Sequence, residues 1–152
     1  MSFQVNDRVD DNKTLRSSYT GWMTTNYTNT NYPWISQKNN IKNVYFDNIR
    51  PPSTAHWFYK CANLTTFDWS GLDLTNTKNM YCMFDYCEKL NANTPIRCGQ
   101  NVTDFGWAYE NCKLLTGTPV CGQNVTSLRG TYCNCYNLRG APVCGPKVTD
   151  FH

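Results

Sequence analysis

Two stretches of the chain have nearly the same sequence. GTPVCGQNVTSL (117–128) and GAPVCGPKVTDF (140–151) are identical at seven of twelve positions and lie 23 residues apart. A weaker copy, NTPIRCGQNVTDF (93–105), has one extra residue between Ile96 and Cys98. A period in the twenties is typical of repeat proteins, in which one unit cannot bury its apolar face alone and neighbouring units stack. The sequence therefore predicts a stacked array.

A second pattern introduces each unit: an aromatic residue lies three positions before a cysteine, and a leucine lies three positions after it. It occurs in FYKCANL (58–64), FDYCEKL (84–90), YENCKLL (109–115) and YCNCYNL (132–138). The cysteines of this pattern form a first column, namely Cys61, Cys87, Cys112 and Cys135. The cysteines of the Pro-Val-Cys-Gly copies form a second column, namely Cys98, Cys121 and Cys144.

These patterns predict a leucine-rich-repeat-like solenoid of about four coils, with short β-strands and helical turns. The aromatic–cysteine segment is the predicted helical turn, the glycine after the second cysteine suits a turn, and Val-Thr-x-Phe or Val-Thr-x-Leu is a short strand. Residues 1–50 contain no copy of the unit and are predicted to be an N-terminal cap or docking segment. Residues 51–152 are predicted to be the solenoid.

At STAHWFYKCANL (53–64), NTKNMYCMFDYCEKL (76–90) and PVCGQNVTSL (119–128), the sequence resembles the BspA-like leucine-rich repeats. That family comprises bacterial surface and phage-associated proteins built on MF-x-x-C-x-x-L units. The resemblance covers roughly residues 32–152. It implies a right-handed, β-containing solenoid with a role in binding or adhesion and no catalytic residues. This chain departs from the family in having Cys-Gly where many members have Ile-Pro.

The charge and hydropathy of the chain limit its expected partners and location. The net charge is +3, and the basic residues are scattered, whereas a nucleic-acid reader concentrates them in a patch. No apolar run approaches the ~18 residues that span a bilayer. The first residues, MSFQVNDRVDDNKTLRSS, lack the apolar segment of a secretion signal. We therefore expect no nucleic-acid partner and no membrane insertion, and a location in a phage virion or on a bacterial surface.

The nine cysteines admit three interpretations. Buried free thiols are favoured, because the columns place one small apolar side chain above the next. Disulfides are the second. Metal binding is the third, since Cys82 and Cys87 form C-x4-C and Cys133 and Cys135 form C-x-C, but a structural zinc site needs two such pairs together. We expect no metal and no cofactor.

Catalysis has little support in the sequence. His56 and His152 belong to no nucleophile–base pattern. Asp104 and Asp150 share a repeat position but lie about two coils apart, too far to act as an acid–base pair. Asn101 and Asn124 begin N-V-T, a glycosylation acceptor pattern for which a turn role is favoured. We predict that the protein is not an enzyme.

The candidate binding residues come from two regions. Aromatic residues in the polar N-terminal segment either pack the cap or dock on a protein or glycan: Trp22, Tyr27, Tyr32 and Trp34. Polar residues of the Val-Thr segments are the second group: Thr103, Asp104, Thr126, Ser127, Thr149 and Asp150.

An interface is predicted where the chain stops, because the last unit would leave apolar side chains and strand backbone unpaired: Val143, Val148 and Phe151. We therefore expect a homo-oligomer or part of a larger assembly. The favoured function is a non-enzymatic binding or adhesion module, tail-associated in a phage and recognising a host-surface or virion partner. The alternatives are a structural assembly protein and a thiol or metal-binding protein.

Overall fold

The computed structural model describes residues 8–9, 14–18, 34–92 and 94–151. Its strands are β1 (Arg8–Val9), β2 (Thr14–Ser18), β3 (Asn43–Asp47) and β4 (Thr66–Asp68). A short 3-10 helix covers Ile35–Gln37.

The strands form one sheet in the order β1-β2-β3-β4. β1 is antiparallel to β2, whereas β2 and β3 are parallel, with Thr14 opposite Asn43. β3 and β4 are also parallel, with Asn43 opposite Thr66, an offset of one repeat length. In β3 the side chains alternate, and Val44 and Phe46 are buried.

The predicted solenoid of strands and helical turns is wrong. Among the described residues there is no α-helix, and every strand lies before residue 69. The Val-Thr segments form single parallel bridges and not strands, as between Asn79, Asp104, Ser127 and Asp150. The resemblance-based expectation of a β-containing solenoid fails for the same reason. The division at residue 50 stays a prediction.

The aromatic–cysteine segments are not helical turns, because their backbone N–H groups alternate between two kinds of acceptor. In the first copy, the N–H groups of His56, Phe58 and Lys60 donate to carbonyls of the next repeat at 2.8–2.9 Å. The N–H groups of Trp57 and Cys61 instead donate three residues back, at 3.2 and 2.9 Å. Half of the segment therefore bonds like a strand and half like a 3-10 turn.

Backbone conformation explains this alternation. Two residues of each segment, four positions apart, have φ between +51° and +62°. They form two columns: His56, Cys82, Trp107 and Gly130 in one, and Lys60, Tyr86, Asn111 and Asn134 in the other. The left-handed region is uncommon for residues other than glycine, and a residue in it ends a right-handed helix. The repeat stacking compensates for this local strain.

The repeats stack in register through a column of aromatic rings. Consecutive rings lie nearly parallel, with centroids 5.2–5.8 Å apart and interplanar angles of 12–25°. The column contains Trp34, Phe58, Phe84, Tyr109 and Tyr132. Trp34 is the first ring of the column among the described residues, and its Nε1 also donates to the carbonyl of Trp57 at 2.7 Å. Such offset stacks stabilise a core beyond their buried area.

The first cysteine column lies beside the rings. The thiols of Cys87, Cys112 and Cys135 donate to the carbonyl of the aromatic residue one repeat earlier, at 2.9–3.3 Å. A cysteine satisfies this position because it is small and apolar yet carries a weak donor. The predicted burial is confirmed for Cys61, Cys87 and Cys112 and is wrong for Cys135, which is half-buried.

Candidate functional site

The predicted threonines form a row on the surface. Thr103, Thr126 and Thr149, three of the predicted binding residues, are all exposed. Each hydroxyl donates to a carbonyl one repeat earlier, at 3.2–3.4 Å. These hydroxyl groups therefore hold repeats together, and their role in binding stays a prediction.

The half-buried polar residues beside this row accept hydrogen bonds at the start of the turns that follow. The carboxylate of Asp104 accepts from the N–H of Gly106, and the hydroxyl of Ser127 accepts from that of Arg129, both at 3.2 Å. Ser127 also donates to a carboxylate oxygen of Asp150 at 3.1 Å. Short polar side chains favour this position because they accept from an amide two residues ahead.

Of the four N-terminal aromatic residues predicted to pack the cap or bind a partner, the structure describes Trp34. Trp22, Tyr27 and Tyr32 lie outside the described residues. Trp34 is only 2% exposed and stacks on Phe58, so packing, and not docking, is its role.

The predicted interface residues differ in exposure. Val143 is 82% and Phe151 64% exposed, whereas Val148 is half-buried against the core. Phe151 lines a shallow, mainly apolar depression with Tyr132, the last ring of the stack. Their place in an interface stays a prediction.

A connected group of partly exposed aromatic rings, which was not predicted from the sequence, crosses the first three repeats. Successive ring centroids lie 5.3–6.5 Å apart, edge to face. We call this group the aromatic strip; it consists of His56, Tyr59, Tyr81, Tyr86 and Trp107. Tyr86 is 41% exposed and the other rings are half-buried.

A cation lies over a ring at each end of the strip. The ammonium of Lys60 is 5.0 Å from the ring of Tyr59 and 5.7 Å from that of Tyr86. The guanidinium of Arg129 is 5.0 Å from the ring of Trp107. Both cations are exposed, and these cation–π contacts hold them beside the rings.

His56 places an imidazole inside the strip. Its Nδ1 is buried and has no hydrogen-bond partner among the described residues. Burial lowers the pKa of His56, and the nearby charge of Asp104 opposes this effect. A neutral imidazole is therefore favoured, and its ring contacts those of Tyr59 and Tyr81.

A comparison of the repeats contained the signal that would have found the strip. The stacked aromatic column keeps its chemistry in every repeat, as core positions do. The neighbouring columns do not: Ala55, Tyr81, Gly106 and Arg129 are equivalent positions, and so are Tyr59, Asp85, Glu110 and Cys133. A repeat position at which the residue type varies without disturbing the stacking can carry side chains that suit a binding surface.

An acidic group lies next to the strip. Asp85 is 5% exposed and accepts from the amide of Asn111 at 3.4 Å. Burial raises the pKa of Asp85 to about 6, and the negative charge of Glu110 adds to the shift. The folded protein therefore holds a proton on this carboxyl more tightly than the unfolded chain does.

We expect Asp85→Asn to stabilise the protein at pH 7.5 by about 2 kcal/mol and to have little effect near pH 4. Because the pKa of Asp85 rises on folding, the charged Asp85 carboxylate lowers the free energy of unfolding. This destabilisation is absent below about pH 3.8, grows as the pH rises to about 6, and is constant above that. Urea unfolding at pH 4, 5 and 7.5 measures the difference. Glu88→Gln, which removes an exposed ion pair with Lys113, should change stability by under about 0.5 kcal/mol. An equal effect of Asp85→Asn at pH 4 and 7.5 would contradict the assignment.

Two members of the second cysteine column, Cys98 and Cys121, line a cleft. This cleft, of about 540 Å³, is lined by Trp69, Leu72, Arg97, Asn101, Cys98 and Cys121, among others. Burial was predicted for this column and is wrong, because Cys98, Cys121 and Cys144 are half-buried. Their thiols lie close to backbone carbonyls of their own turns, at 3.5–3.7 Å.

All nine cysteines are unpaired in the structure. Within residues 34–92 and 94–151, no three His, Cys, Asp or Glu side chains are arranged to hold a metal ion. The described part of the chain also has no helix that is long and apolar enough to cross a membrane.

The asparagines of the N-V-T triplets connect repeats. Asn101 and Asn124 donate through their side-chain amides to carbonyls one repeat earlier, at 2.8 and 2.9 Å. Lys147, at the same position in the last copy, donates to the side chain of Asn124 at 2.7 Å. The turn role predicted for these asparagines thus includes a bond along the stack.

Comparison with known proteins gives one weak likeness. No family model and no curated protein match the chain. A solved structure, a leucine-rich cell surface protein from Faecalibacterium prausnitzii A2-165, is similar at 16% identity with a TM-score of 0.48. The alignment covers 95% of this chain and 42% of that one, so the chain spans less than half of its length. The resemblance to BspA-like repeats therefore rests on the sequence units themselves.

Proposed function

We propose that the protein is a non-enzymatic binding or adhesion module that holds a macromolecular partner on the aromatic strip. The observation that carries this proposal is the continuous contact of five aromatic rings, with Lys60 and Arg129 at the two ends, across successive repeats. Tyr, Trp and Arg are the residues that supply most of the binding free energy in protein interfaces.

The strip is suited to a partner surface more than to a small molecule. Its rings pack edge to face, which fixes their positions before a partner arrives. Rigid aromatic side chains lose little conformational entropy on binding. The partner is a protein or a glycan, since both offer apolar faces with hydrogen-bonding groups at the rim.

A double variant tests the proposal. Tyr81→Ala with Trp107→Ala should weaken binding at least tenfold, because the two rings together are expected to contribute at least about 1.4 kcal/mol of binding free energy. The matched control is Thr126→Ala with Thr149→Ala on the exposed threonine row. Binding is measured on immobilised bacterial envelope glycans, envelope proteins and virion proteins, with thermal unfolding as the check of folding. Equal binding by both double variants would reject the strip as the binding surface.

A structural assembly role is the second candidate, and the exposure of Val143 and Phe151 at the last repeat favours it. In that case the partner covers this end, and Phe151→Asp weakens assembly while the strip variants do not. The finer assignment to a phage tail or virion, and the expected oligomer, rest on the sequence and stay predictions. The thiol or metal alternative also stays a prediction.

A further inference from the structure

The last two repeats bring two cysteines of the second column to equivalent positions. Val120 and Val143 form a parallel bridge, so Cys121 and Cys144, the residues that follow them, are neighbours along the stack. The N–H of Thr149 donates to the carbonyl of Thr126 at 3.0 Å and keeps the same register further along. Bridged residues on adjacent strands lie about 5 Å apart, within the Cα separation that a disulfide requires.

The two thiols are also accessible. Both cysteines are half-buried, so a reagent in solution reaches them. Burial raises the pKa of the Cys144 thiol, and the neighbouring Cys121 raises it further. Little of the reactive thiolate is present at neutral pH, so an exchange reaction should be slow at pH 7 and faster at pH 8.5.

The other cysteines have different surroundings. The thiols of Cys87 and Cys112 are buried and donate to carbonyls. The sulfur of Cys98 lies against the backbone of Gly122, 3.0 Å from where a Cβ on that residue would be. Cys98 is therefore directed to the turn of the next repeat and not to the thiol of Cys121.

We propose that Cys121 and Cys144 are a modification site at which a small-molecule disulfide oxidises both thiols and joins the last two repeats covalently. One thiolate attacks a sulfur of glutathione disulfide and releases one glutathione thiolate, which takes up a proton. The second protein thiolate attacks the resulting mixed disulfide and releases the second glutathione. The two cysteines lose two protons and two electrons, and the oxidant is reduced to two glutathione thiols.

The bond would close a loop of 23 residues that joins the last two repeats. Such a cross-link stabilises mainly by restricting the unfolded chain. For a loop of this length and a chain of this size, we expect the midpoint of thermal unfolding to rise by roughly 5–10 °C.

Peptide mapping tests this directly. The full chain is incubated with excess glutathione disulfide at pH 8.5, free thiols are blocked with an alkylating reagent, and the protein is digested with trypsin. Cleavage after lysine and arginine leaves Cys121 alone in residues 114–129 and Cys144 alone in residues 140–147. The expected result is a cross-linked pair of these two peptides from protein that runs as a monomer on a non-reducing gel, with a raised unfolding midpoint.

Two variants control the assignment. Cys98→Ser should leave the yield of the cross-linked pair unchanged. Cys144→Ser should abolish both the pair and the rise in the midpoint. Three outcomes would each overturn the proposal. Cys121 and Cys144 could be recovered only in alkylated or singly glutathionylated form, Cys121 could pair with Cys98, or the link could join two molecules. A cross-link that leaves the midpoint unchanged would contradict formation in the native register.

Discussion

Phe84→Ala is expected to lower the free energy of unfolding by about 3–5 kcal/mol, the usual range for a phenylalanine removed from a core. Phe84 is fully buried and stacks on Phe58 and Tyr109, with ring centroids 5.7 and 5.2 Å away. Its ring also meets Phe67 and Trp69 edge to face. Removal leaves a cavity in the middle of the stack, which neighbouring rings cannot fill because their backbones are held by bonds between repeats.

The matched control is the same substitution at an exposed phenylalanine. Phe151→Ala, at a side chain that is 64% exposed, should change the free energy of unfolding by less than about 1 kcal/mol. Phe84→Leu, which keeps an apolar side chain but loses the stacking, should fall between the two. Urea unfolding followed by circular dichroism measures all three. Similar losses for Phe84→Ala and Phe151→Ala would show that the ring column does not form the core.

Leu115→Ala is expected to cost about 2–5 kcal/mol, whereas Leu114→Ala should cost less than about 0.5 kcal/mol. The two leucines are adjacent and chemically identical, but Leu115 is fully buried and Leu114 is 49% exposed. Leu115 is the leucine that follows the cysteine by three residues, and its N–H donates to the carbonyl of Cys112 at 3.1 Å.

Denaturant unfolding of the two leucine variants compares them under one condition. Thr126→Ala, on the exposed row, gives a second reference and should also stay within about 0.5 kcal/mol. Equal losses at Leu114 and Leu115 would mean that the inward columns have been assigned to the wrong face.

The repeat period and the inward columns were predictable from the sequence. Phe58, Phe84, Leu115 and Val125 are buried as the repeated pattern requires, because equivalent residues meet when units stack. The second cysteine column was wrongly assigned to the interior. A cysteine that recurs once per repeat gives the same sequence pattern whether its side chain is buried or only half-buried.

The backbone of the turns was not predictable. Glycine and asparagine at Gly130, Asn111 and Asn134 are compatible with positive φ, but His56 and Trp107 give no such signal. Their conformation is imposed by hydrogen bonds to the next repeat, a tertiary effect that single segments do not show. A helical turn and this alternating turn have the same aromatic and cysteine spacing, so the periodicity did not separate them.

The aromatic strip escaped prediction for a related reason. Of its five members only His56 and Trp107 share a repeat position, so the strip forms no full column in the sequence. The stacked structure is what brings Tyr59, Tyr81 and Trp107 into one connected set.

Footprinting of the bound protein by hydroxyl-radical oxidation tests the central claim most directly, that the strip is the binding surface. Oxidation of Tyr86 and Trp107 should fall several-fold when the partner from the binding assay is present. Tyr45 is 42% exposed and lies outside the strip, so its oxidation should not change. Protection of Tyr136 and Phe151 with unchanged oxidation of the strip would contradict the account and place the contact at the last repeat.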